Sequence, residues 1–164
     1  MTRVHDELLA DGEALLARRE AVEQRIVREF RGTRPALQVQ IAQVERLREQ
    51  VRARLQQIVT AFDEAEAPAD DDEDRDERLG AAESFYAERE RLAARERELA
   101  AGIGALQRRA AEVRAEKLPP GLAELERERE QIEAQLRQWR ARCRRAGFAP
   151  SLPRWGEYAG AEDD

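Results

Sequence analysis

Leu37, Val44, Val51 and Ile58 recur every seven residues, and Ile41, Leu55 and Phe62 each follow four residues behind that series. This 4-3 spacing over four heptads is the seam of a coiled coil, and it commits residues 35–66 to a helix with an apolar stripe. One companion position is Arg48, which puts a charge where a partner helix would pack. A polar seam residue fixes register at some cost in stability, although an arginine can also snorkel outward.

Three further stretches carry related stripes. Residues 3–31 place Val4, Leu8, Leu15, Val22, Ile26 and Phe30 on one face. Residues 78–117 repeat Phe85, Leu92, Leu99, Leu106 and Val113 at seven-residue spacing, with the weaker companions Ala82, Arg89, Glu96, Ile103 and Ala110. Residues 122–146 pair Leu125, Ile132, Trp139 and Ala146 with Leu122, Arg129, Leu136 and Cys143, so Arg129 is a second charged seam position.

The breaks between stripes have local causes. Gly32 suits a helix C-terminus and Pro35 the first turn of the next helix. Pro119 and Pro120 exclude helical geometry just before them. From residue 63 to 77, ten of fifteen residues are acidic, which implies a solvated linker because dense like charge repels and nothing there can bury apolar surface. A calcium loop would need the spaced glycine and glutamate that this run lacks. Gly102 and Gly104 each weaken the third helix by about 1 kcal/mol relative to alanine, which suits either a close helix approach or a kink.

The expected fold is therefore all-α: antiparallel coiled-coil hairpins, forming an elongated four-helix bundle, with a short non-helical aromatic C-terminal tail. Short connections predict hairpins over 1–66 and 78–147, an acidic linker over 67–77 and a tail over 148–164. Charged residues make up 39% of the chain and aromatics 5%, a composition of long helices rather than of a compact enzyme core. Like-charge pairs such as Glu45–Glu49 and Arg91–Arg95 do not favour free-standing helices, so the stripes need partners. One lysine and no asparagine read as the codon bias of a GC-rich bacterial genome.

The same residues narrow the chemistry. His5 is the only histidine and Cys143 the only cysteine, too few for a catalytic triad, a multi-cysteine zinc site or a disulfide framework. No phosphate-binding glycine loop is present. The expectation is no catalysis, no cofactor and no metal. Acids interrupt the N-terminal stretch and no long apolar run exists, so no membrane span and a cytoplasmic location are expected.

Two features suit binding. Arg137, Arg140, Arg142, Arg144 and Arg145 cluster at the end of the fourth stripe, either offsetting the helix dipole or gripping phosphates. After Gly147 come Phe148, Leu152, Trp155 and Tyr158, among prolines and off the heptad frame. These residues either seal the bundle end or dock into a partner's groove.

The functional expectation is a scaffold or adaptor subunit of a larger bacterial assembly or a homo-oligomer. It would use its helix faces, its seam arginines Arg48 and Arg129, and its tail. One alternative is a coiled-coil stalk that regulates a secretion or rotary ATPase, a likeness of architecture alone. Another is a nucleic-acid or anionic-surface binder acting through Arg137–Arg145, which the net charge of −6 disfavours.

Overall fold

The structure, a computed structural model, describes residues 3–65, 72–115 and 117–150. Among them the chain forms four α-helices and no strand: α1 Arg3–Glu29, α2 Arg34–Ala65, α3 Asp72–Glu112 and α4 Pro120–Arg145. The all-α expectation holds, and several helix ends follow from local chemistry. Gly32, at φ 82°, turns the chain out of α1. Thr33 then caps α2: its Oγ1 accepts from the Ala36 amide at 3.3 Å while its hydroxyl donates to the Phe30 carbonyl at 2.7 Å. Pro120 opens α4 at a position that has no amide to lose.

The end of α4 is a complete Schellman turn. Gly147, at φ 64°, donates to the Arg144 carbonyl at 3.1 Å, and the Phe148 amide reaches the Cys143 carbonyl at 2.9 Å. Helix α3 starts six residues ahead of the expected position, inside the acidic run. Acidic sequence is compatible with a helix N-terminus, where negative charge meets the positive end of the dipole.

The chain divides into two compact units, residues 1–41 with 106–164, and residues 42–105. In the first, α1 and α4 run antiparallel, with partner numbers falling on α4 as they rise on α1: Asp11 meets Arg142, Arg19 meets Glu133, and Glu23 meets Arg129. Their core joins Leu8, Leu16, Val22 and Ile26 to Leu122, Leu125, Ile132, Leu136 and Cys143, with Ala36 and Val39 from the start of α2.

Trp139 anchors this packing. Its indole lies directly over Gly12, where any β-carbon would collide with the ring, and its Nε1 donates to the Leu8 carbonyl at 2.7 Å. Of the expected α1 stripe, Leu15 is only half-buried and Val4 is exposed, while Gly12, Arg19 and Glu23 lie inside.

In the second unit α2 and α3 are antiparallel neighbours, joined by Arg48–Glu96, Arg54–Glu88 and a stack of Phe62 on Phe85 at 4.1 Å. Leu47, Ile58, Leu99 and Ile103 are buried there, whereas Val51, Leu55, Phe62, Phe85 and Leu92 are half-buried. Two helices have one mutual face and cannot enclose a stripe from both sides.

The pairing corrects the hairpins expected from chain order over 1–66 and 78–147: α1 packs on α4 and α2 on α3. A short connection makes chain neighbours available to each other. Here the partner is decided by side-chain fit, with Trp139 over Gly12 and Arg129 against Glu23. A β-carbon at Gly102 would meet nothing within 4 Å, so the expected close helix approach does not occur there.

Candidate functional site

Both seam arginines meet acids from the packed helix. Arg48 Nε lies 2.8 Å from Glu96 Oε1, and Arg52 Nε approaches the same oxygen at 3.1 Å. The Arg48 hydrogen bond, with Arg52 adding to it, holds the Glu96 carboxyl below its ordinary 4.5. Arg129 Nε lies 3.0 Å from Oε2 of Glu23, a side chain only 1% exposed, and Arg19 bridges from Glu23 at 4.0 Å to Glu133 at 3.3 Å. These pairs set the register of both helix pairs, and they are internal to the units rather than offered to a partner.

The arginine cluster divides by role. Arg142 pairs with Asp11 across the α1–α4 groove. Arg137, Arg140, Arg144 and Arg145 are exposed on the last turns of α4, where cations offset the helix dipole. Of the tail residues, Phe148 is half-buried against the α1–α4 core and stacks on His5 at 4.8 Å, with His5 Nε2 3.4 Å from the Ala146 carbonyl. Phe148 thus completes the hydrophobic contact of the Schellman turn. Leu152, Trp155 and Tyr158 lie outside the described residues, as do positions 67–71 of the acidic stretch.

An open cleft of about 350 Å³ lies along α1 and α4, lined by Asp11, Arg18, Gln135, Gln138, Trp139 and Arg142. Four of its polar groups pair across it: Arg142 with Asp11, and Arg18 with Gln135 at 3.2 Å. Cys143 is buried at 3% exposure, in the role of a small apolar side chain. Among the described residues no group of His, Cys, Asp or Glu is arranged to hold a metal ion, and no helix is long and apolar enough to cross a membrane.

Sequence reasoning missed the most exposed apolar residues of the second unit. Leu79 is 63% exposed and Tyr86 56% exposed, on an α3 face other than the seven-residue series. Their own 3-4 spacing with Asp76, Glu83 and Glu90 was the available signal. It was hidden because acids occupy three of the five positions. Comparison with protein-family models, with curated proteins and with solved structures finds no match to this chain.

Proposed function

We propose that this chain is a non-catalytic coiled-coil scaffold or adaptor, a subunit of a larger bacterial assembly that binds other proteins through its helix faces and C-terminal aromatic segment. The observation that carries the reading is the incomplete cover of the second unit. Half-buried Val51, Leu55, Phe62, Phe85 and Leu92 and exposed Leu79 and Tyr86 leave an apolar surface on a two-helix scaffold. Contiguous apolar surface rimmed by polar groups marks interaction sites on other proteins. Trp155 and Tyr158 add anchor residue types enriched at interfaces.

The test is affinity capture with the intact chain and with a chain ending at Gly147. Loss of specific partners on truncation supports docking by the tail, and recovery of an unchanged set assigns docking to the helices. An intact chain that captures no specific partner defeats the adaptor reading.

A second reading follows from the exposed Arg137, Arg140, Arg144 and Arg145, which suit an anionic surface or nucleic acid. It requires affinity that falls steeply with salt and with reversal of those arginines. A stalk-like role would instead appear as stimulation of a co-purifying ATPase.

A further inference from the structure

Asp76, Leu79, Glu83, Tyr86 and Glu90 follow one another at spacings of three, four, three and four residues along α3, and every one of them is exposed, Glu90 while paired with Arg97 at 3.3 Å. This is the geometry of a coiled-coil seam with no helix of its own unit covering it. The stripe alternates acid and apolar side chains, so a partner helix laid along it would meet Leu79 and Tyr86 flanked by carboxylates. Beneath Tyr86 the apolar surface is firmly held. Its ring lies 5.2 Å from Phe85 and 6.1 Å from Phe62, edge-on or tilted, and those two phenyls are stacked at 4.1 Å.

Charge selects the occupant. In residues 42–105 the sequence holds seventeen acids against ten arginines, so this unit carries the negative charge of the whole chain. The same stripe of a second copy is the first occupant to consider, and in-register pairing of the stripe with itself is disfavoured in either direction. Antiparallel pairing sets Asp76 against Glu90, and Glu83 against Glu83. Parallel pairing sets each acid against itself. Like charges placed directly opposite are unfavourable, and at an interface they reject the wrong partner. A helix that sets apolar residues against Leu79 and Tyr86, and Lys or Arg against the positions between them, meets the acids with cations.

We infer that the Asp76–Glu90 face of α3 is the docking surface for a cationic amphipathic helix of another protein. The inference rests on the adaptor reading and gives that partner a chemistry. Leu79 and Tyr86 supply the desolvated anchors, and Asp76 and Glu83 supply register and on-rate.

The experiment titrates the intact chain against a fluorescein-labelled 18-residue helical peptide with a leucine face flanked by lysines, read by anisotropy. The same peptide with glutamate for lysine is the control. The lysine peptide is expected to bind. The L79S/Y86S variant, with helicity checked by circular dichroism, should weaken it at least about tenfold, and D76N/E83Q several-fold. The glutamate peptide should not bind.

Absence of lysine-peptide binding overturns the inference, as does equal binding of the two peptides. Binding that D76N/E83Q weakens while L79S and L79S/Y86S leave it intact means diffuse electrostatics and also overturns it. So does sedimentation showing a dimer of this chain that L79S/Y86S dissolves. If the captured partners of the intact chain persist in L79S/Y86S, this surface fails while the adaptor reading stands. If the intact chain captures none, the adaptor reading itself fails.

Discussion

Glu23 on α1 is almost wholly buried, and its Oε2 lies 3.0 Å from the Nε of Arg129 on α4. A buried carboxylate is tolerated only with close cationic partners, and Glu23 has Arg19 within 4.0 Å as well. Removing one member of such a group leaves the remaining buried charges less well compensated. Glu23→Ala takes from Arg19 and Arg129 the acid they share, and Arg129→Ala takes from Glu23 its 3.0 Å cation.

Glu23→Ala is therefore expected to destabilise the α1–α4 unit by about 3 kcal/mol, measured by urea unfolding followed through helicity. The double variant Glu23→Leu/Arg129→Leu should cost less than the two single substitutions together, because apolar packing replaces a pair that desolvation makes expensive. Additive losses would mean that the two residues do not act on each other.

Two glycines in helix interiors should respond to alanine with opposite sign. At Gly102 a β-carbon meets nothing within 4 Å, so Gly102→Ala should gain up to about 1 kcal/mol of helix propensity. At Gly12 the β-carbon collides with the Trp139 ring, which its hydrogen bond to Leu8 holds in place. Overpacking of this kind costs about 1–3 kcal/mol and exceeds the propensity gain, so Gly12→Ala should lower the urea midpoint. A rise at both positions would remove Trp139 from Gly12.

What the sequence made legible, and what it did not, divides along the same contacts. Heptad spacing located all four helices, and Gly32, Pro35, Pro120 and Gly147 placed the breaks, because these signals are local. Pairing was not legible. It depends on Trp139 finding a glycine and Arg129 finding a glutamate more than a hundred positions away, and neither partner stands out in a charged helix. Glu23 reads as a solvated residue until Arg19 and Arg129 are seen around it. Of the candidate binding residues, Arg48 and Arg129 stand in the sequence pattern, but nothing in that pattern singles out Glu96 and Glu23 as the acids they meet.

Glu96 gives the second unit a pH dependence with a defined sign. Its carboxyl is held below the ordinary 4.5, first by the Arg48 hydrogen bond and then by Arg52. A lowered folded-state value means that the ionised form is favoured on folding. Its contribution is complete above the ordinary carboxylate range and is lost as pH falls through the lowered value. Glu96→Gln should accordingly be less stable than the parent at neutral pH and approach it in acid. Arg48→Gln should move the Glu96 titration, followed by carboxyl carbon shifts, back up towards 4.5. A titration unmoved by Arg48→Gln would assign the shift elsewhere.

Cys143 reports on the end of α4. Its side chain is 3% exposed, and its carbonyl accepts the 2.9 Å bond that closes the Schellman turn from Phe148. A thiol in that position reacts only when the turn opens or the unit unfolds, so a disulfide reagent should modify the native chain far more slowly than the chain in urea. Phe148 is the residue that holds the turn shut, packed on the core and stacked on His5. Phe148→Ala removes part of an aromatic contact, and a local loss of about 1.4 kcal/mol raises the open population about tenfold. The modification rate of Cys143 should rise by about that factor while overall helicity is kept. Prompt labelling of the native parent would show that Cys143 is not a packing residue, and a rate indifferent to Phe148→Ala would show that the aromatic ring does not seal this end.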